Sequence, residues 1–186
     1  MDYQEQVDAK YSTMLHIHKV YENILKISEY LIKNDYHDIA DKLLDRALIH
    51  DLSKLQEPEF TVFMKSTKEL KNLVYGSEEY NKSLTNLGDA LSHHYSNNRH
   101  HPEHHHGGIM NMNIIDILEM SCDWHASSKR MNNSNLGASL DIQKNRFSIP
   151  DILFYSIVDI IFYLENKIDH IDIVERLQSL NLNRQV

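Results

Sequence analysis

A single cysteine, Cys122, leaves this chain without any intramolecular disulfide, so the fold must hold without one and a reducing compartment is expected. Five glycines and three prolines are too few to punctuate a many-stranded sheet, which favours long helices. No apolar run approaches the ~18 residues that a bilayer span needs. The start, Met1-Asp2-Tyr3-Gln4-Glu5, is polar and acidic where a signal peptide would be basic and then apolar. Basic charge is also short. With 19 Lys and Arg against 27 Asp and Glu, the net charge of −8 argues against a protein built to coat double-stranded nucleic acid. The expectation is a soluble, cytoplasmic protein without membrane contact, and its 186 residues suit one domain spanning 1–186.

Histidine is what the chain has in quantity. Seven of its 13 histidines fall between His93 and His106. Upstream lies the stretch His50-Asp51-Leu52-Ser53-Lys54. An adjacent His-Asp pair can place an imidazole nitrogen and a carboxylate oxygen on one metal ion. Lys54 returns to the side of Asp51 after a helical turn, where its charge could hold an anion. Neutral imidazole is the commonest metal ligand, so the pair and the histidine block read as halves of one site.

Hydrophobic spacing predicts an all-α chain of about six to seven helices. From about Gln4 to Lys33, the residues Val7, Tyr11, Met14, His18, Tyr21 and Leu25 recur in steps of four and three, the mark of one helix face. That places His18 in the stripe, either as a satisfied core histidine or as a ligand. His16, about 200° away around the helix, should face elsewhere. A second helix runs from about His37 to Asp51, and a third starts at Glu57-Pro58-Glu59 and ends at Tyr75, with Gly76 as its stop. The fourth starts at Ser77 and carries Leu84, Leu87, Leu91 and His94 inward, with His93 about 100° off that line.

A loop over 97–108 follows, with a flexible look around His104-His105-His106-Gly107-Gly108. Asn113 caps a fifth helix to about Arg130. Its acids Asp116, Glu119 and Asp123 form a row that is either a wet face or the wall of a metal basin. An irregular connection is expected from Met131 to Phe147, with Lys144 and Arg146 turned inward. The sixth helix, from Ser148-Ile149-Pro150-Asp151 to about Asn166, is apolar nearly all round and should be the most buried element. A last amphipathic helix carries Ile168, Ile171, Ile173, Leu177 and Leu180.

In chain order the chemistry-bearing residues are His18, His50-Asp51, His93-His94, His100-His101 and Asp123. That order on successive helices resembles the HD-domain superfamily of metal-dependent phosphohydrolases, in which an early His, a His-Asp pair and a distant Asp bind one metal. A Lys three positions after the Asp is similar to the His-Asp-x-Gly-Lys of the HD-GYP cyclic-dinucleotide phosphodiesterases. Here Ser53 replaces the Gly and the Gly-Tyr-Pro element is absent, so cyclic di-GMP is not the expected substrate. Lys54 also stands where mononuclear nucleotidases carry a Glu, which favours the dinuclear type. His18-Lys19, the stretch from His50 to Leu55, His93-His94, the run from Asn98 to His104, and the stretch from Glu119 to Trp124 look like an uncharacterised HD-like family of bacteria and their phages.

The resemblance implies that His18, His50, Asp51 and Asp123 hold a first metal. Asp51 would bridge to a second, completed by His94 and His101, with His93, His100 and His104 as rivals and Glu119 as a further contributor. Nitrogen and oxygen donors without thiolate suit Mn, Fe, Co, Ni or Zn, which acidify water for attack on phosphorus. Lys54, and with it Arg99, would neutralise phosphate oxygens, so Asp51 and Lys54 are the candidate catalytic residues. The expected substrate is a nucleotide or another small phosphoester. Two other classes use the same scaffold: a di-iron oxygenase resembling inositol oxygenase, and a non-catalytic metal-bearing domain that binds a nucleotide signal or a protein partner.

Overall fold

The computed structural model describes residues 3–70, 73–74, 76–85, 87–129 and 135–180. Most of the apolar run expected over 70–75, the Leu84 side chain and the stretch 130–134 lie outside the described residues. Among those described, every regular element is helical: α1 (Tyr3–Lys33), α2 (His37–Ile49), α3 (Glu59–Leu70), α4 (Glu78–Thr85), α5 (Gly88–Asn97), α6 (Ile114–Ser128), α7 (Leu136–Arg146), α8 (Asp151–Leu164) and α9 (Ile173–Ser179). Three 3-10 turns, Leu52–Leu55, Pro102–His104 and Gly108–Asn111, join them. The all-α expectation is met with more and shorter helices. Gly88, at φ +45°, opens α5 and divides the expected fourth helix in two.

The core forms where α1, α2, α6 and α8 pack. Val20, Ile24, Ile27 and Leu31 of α1 meet Ala40 and Leu43 of α2, Ile117, Leu118 and Met120 of α6, and Leu153, Ile157 and Ile160 of α8. Each such aliphatic side chain contributes roughly 1.5–3 kcal/mol on burial. The stripe Val7, Tyr11, Met14, Leu25 lies on the opposite side of α1 and is open to water, with Tyr11 64% exposed. The face rich in Val, Ile and Leu won the core, with His16, Asn23, Ser28 and Tyr30 buried alongside, and the face carrying Tyr11, Met14 and His18 took the solvent.

Burial peaks on α6, contrary to the expectation for α8. Thirteen of the fifteen α6 residues are buried, Asp116, Glu119 and Asp123 among them, against seven of fourteen on α8. Ile152, Tyr155 and Phe162 of α8 remain exposed. Asn113 caps α6 as expected, in a capping box with Asp116: the Asp116 N–H donates to Asn113 Oδ1 at 2.9 Å and the Asn113 N–H to Asp116 Oδ2 at 3.1 Å. The connection expected to be irregular contains α7, capped by Asn135, whose Oδ1 accepts from the Ala138 N–H. Lys144 on α7 pairs outward with Asp151 at 2.7 Å.

Candidate metal centre

α2 stops at Ile49, and the two residues after it leave helical geometry. His50 has ψ 123° and Asp51 sits in the left-handed region at φ 57°. On a continuing helix these neighbours would diverge by about 100°. The break turns both side chains inward, where they are 2% and 0% exposed. A left-handed non-glycine residue costs roughly 1–2 kcal/mol, which Asp tolerates better than most. The Leu52–Leu55 turn then brings Lys54 back over Asp51, because side chains three apart eclipse in a 3-10 turn. Lys54 Nζ donates to Asp51 Oδ2, and its side chain is 23% exposed.

Around Asp51 the donors fall into two groups. His16, His50, Asp51 and Asp123 place one donor atom each within 4.8 Å of one another, and so do Asp51, His94, His100 and His101. Asp51 belongs to both. Its Oδ2 lies 3.5 Å from His16 Nε2 and from His50 Nε2, while its Oδ1 lies 3.5 Å from His94 Nε2 and 3.7 Å from His100 Nε2. Asp123 closes the first group, 2.9 Å from His16 Nε2. In the second, His94 Nε2 and His101 Nε2 are 2.8 Å apart.

The early histidine that joins the cluster is His16, which corrects the expectation for His18. His18 points to solvent with its side chain 68% exposed and pairs with Glu22 at 3.4 Å. His16 lies four residues before Val20, so extending the core face Leu31–Ile27–Ile24–Val20 by one turn reaches it. That signal was present in the sequence, obscured by the longer stripe through Tyr11 and Met14.

Other expected residues sit one step back. His93 Nδ1 donates to Glu59 Oε1 at 2.7 Å and His94 Nδ1 to Glu59 Oε2 at 2.9 Å. His93 is therefore bonded to a carboxylate that also holds a donor of the second group. His104 is anchored away from the cluster, its Nδ1 donating to the Tyr95 carbonyl at 2.9 Å, and His105 Nε2 donates to the Arg99 carbonyl at 2.8 Å. The segment expected to be a flexible histidine loop is thus tied to backbone, with Pro102 and Ile109 buried under it. Arg99 grips Asp116 through Nε at 3.2 Å and Nη2 at 3.0 Å.

Glu119 accepts from His50 Nδ1 at 2.9 Å, and the same oxygen lies 3.2 Å from His100 Nδ1, off the line of a straight hydrogen bond. Arg46, Glu59 and His16 escaped the sequence reading. In sequence, Arg46 is a charge in the last turn of an amphipathic helix and Glu59 an acid in the first turn of another, positions that carry no signal of a buried role.

Electrostatics favour the ligand form of most of these groups. Burial opposes ionisation of Asp51, but Lys54, His50 and His94 outweigh it and hold the carboxyl well below the usual range. Burial is likewise overcome at Asp123 by the His16 hydrogen bond, and at Glu119, held at about 2, by His100 and His50. Burial, with His100 and His94 close by, keeps His101 well below the usual imidazole range. Burial and then Lys54 also lower His94. His50 goes the other way: burial is outweighed by Asp51 and Glu119, and its imidazole is raised. Ionised carboxylates and mostly neutral imidazoles are what divalent metals require.

The donor set passes a stricter test. His50 Nε2, Asp51 Oδ1 and His100 Nε2 are buried without a hydrogen-bond partner, a cost of roughly 1–3 kcal/mol each that calls for an explanation. His50 Nε2 belongs to the first group, and Asp51 Oδ1 and His100 Nε2 lie together in the second, so a cation in each group would satisfy them. No curated protein and no solved structure matches the chain. One family model does, over residues 5–152, which include every donor described above. The chain belongs to that family, a family of unknown function (DUF5662).

Proposed function

We propose that this protein is a metal-dependent phosphohydrolase of the HD-domain type, acting on a nucleotide or another small phosphoester through a two-metal centre. The observation that carries the reading is the sharing of Asp51 between two donor groups, with the partly exposed Lys54 beside it. His16, His50, Asp51 and Asp123 would hold one ion, and Asp51, His94, His100 and His101 the other. Their nitrogen and oxygen donors suit Mn, Fe, Co, Ni or Zn. Bound there, such ions would supply Lewis acidity toward a phosphoryl group and toward the attacking water.

The chain's own contribution is charge and position. Asp51 gives each group one oxygen and so fixes their separation. Lys54 carries no lone pair while protonated and cannot ligate, so its ammonium is placed to receive phosphoryl oxygens and neutralise charge that grows in the transition state. Glu59 and Glu119 lock the rings of His94 and His50 against rotation, which spares the site that entropy when a substrate arrives.

The test is Lys54→Met, assayed for metal content and for hydrolysis of a panel of nucleotides and of p-nitrophenyl phosphate and its diester. Metal should stay near two per chain while hydrolysis falls roughly ten- to a hundredfold, the worth of one charge-assisted contact. Unchanged hydrolysis would remove the argument for an anionic substrate. Loss of metal would make Lys54 a structural support of the centre instead.

A further inference from the structure

Building on the two-metal reading, we propose that Glu119 is a positioning residue that sets the imidazole tautomer in both halves of the centre at once, and that Arg46 decides which of its oxygens does so. Glu119 Oε2 faces Arg46 Nη2 at 2.5 Å. Arg46 itself is fixed, since its Nη1 donates to Asp116 Oδ1 at 2.9 Å and Asp116 belongs to the capping box of α6. A guanidinium only donates, so it must face an oxygen. The remaining oxygen, Oε1, is left to two imidazoles, 2.9 Å from His50 Nδ1 and 3.2 Å from His100 Nδ1.

An ionised carboxylate only accepts, and so His50 carries its proton on Nδ1. His100 Nδ1, 3.2 Å from the same oxygen but off the line of a straight hydrogen bond, is assigned the same tautomer by that proximity. The lone pairs of both rings then sit on Nε2, and these are the atoms that face Asp51, His50 toward Oδ2 and His100 toward Oδ1. One ring belongs to each donor group. Glu59 does the same work more narrowly: of the donors in the two groups it holds only His94, and its second oxygen goes to His93.

The arrangement makes an isosteric change disruptive in a specific way. In Glu119→Gln, Arg46 claims the amide oxygen, and the amide NH2 is turned toward the two imidazoles. Each must then offer a lone pair at Nδ1, which moves its proton to Nε2 and removes one donor from each half. Glu59→Gln has a harmless orientation, with the amide oxygen on His94 and the NH2 toward His93. It should leave His50 and His100 as they were.

Two readouts on the full chain test this: long-range 1H–15N NMR of 15N-histidine-labelled, chelator-treated protein for the tautomers, and titration with Mn(II) for uptake. Wild type should show Nδ1–H at His50 and His100. Glu119→Gln should show Nε2–H at both and weaken uptake of both ions by about 10–100-fold. Adding Arg46→Met to Glu119→Gln frees the amide to turn its oxygen to the rings, which should restore the Nδ1–H tautomers and recover uptake. Unchanged tautomers in Glu119→Gln, a change at only one of the two rings, or the same change in Glu59→Gln would overturn the proposal. Wild-type protein that takes up no Mn(II) yet shows these tautomer changes would overturn the two-metal reading and leave the tautomer-setting role of Glu119 standing.

Discussion

The two halves of the centre are built by different means. His16, His50 and Asp123 lie far apart in the chain, on α1, just past the end of α2 and on α6, helices whose packing forms the core. His94, His100 and His101 lie within eight residues, at the end of α5 and in the turn after it, on a part of the molecule made of short helices and 3-10 turns. The first half inherits its geometry from aliphatic packing: moving His16 means moving the helix that carries Val20 and Ile24. The second half is held by polar contacts, such as Asn98 Nδ2 donating to the His94 carbonyl at 2.8 Å and to Ser53 Oγ at 2.8 Å. Core-derived precision and locally bonded precision meet at Asp51, whose backbone belongs to neither a helix nor a free loop.

The largest expected effect removes the residue on which the comparison turns. Asp51→Asn replaces one anionic oxygen with an amide NH2 that cannot ligate, so metal per chain should fall toward zero and hydrolysis beyond the roughly 10–100-fold typical of an outer-shell change. Retention of two ions, counted by elemental analysis, would show that Asp51 does not join the halves.

Single-half variants sharpen the contrast. His16→Asn and His94→Asn should each leave about one ion per chain, but the first should also lower the melting temperature of metal-free protein because α1 packs on the core. His94→Asn should leave that temperature nearly unchanged. Equal destabilisation by both would mean that the histidine block is as much a part of the core as α1.

A smaller effect concerns acid. Glu119 is held at about 2, from an ordinary 4.5, with its burial outweighed by His100 and His50. A depressed carboxyl gives stability that is complete above about 4.5 and is lost as pH falls through about 2. Denaturant melts of metal-free protein should therefore weaken over that window, and Glu119→Gln should flatten the dependence. An unchanged slope would mean that Glu119 contributes nothing to acid sensitivity. The smallest expected effect is at His18. Exposed as it is, His18→Asn should keep both ions and change stability by no more than about 0.5 kcal/mol, and loss of an ion would restore His18 as a ligand.

Much of this was legible in one dimension because it depends on local chemistry. Helical spacing, the Asn113 cap and the proximity of His50 to Asp51 follow from nearest neighbours, and so does the clustering of His94, His100 and His101. The acidic row on α6 was legible as a row, but a helix has no inside until something packs on it, and sequence could not tell a wet face from the buried wall it became. The same ambiguity put His16, and not His18, in the donor cluster. Two faces of α1 both carry apolar residues at helical spacing, and only contact with α2, α6 and α8 selects the aliphatic one. Arg46 and Glu59 were invisible for a related reason: a charge reads as solvent-exposed until the fold surrounds it with donors or acceptors. The sequence by itself determined an all-helical chain, a His-Asp pair near the end of α2 and a reservoir of imidazoles. The tertiary structure alone decided which of those imidazoles face one carboxylate, because that choice depends on the rotation of each helix about its axis, and packing against the other helices sets that angle.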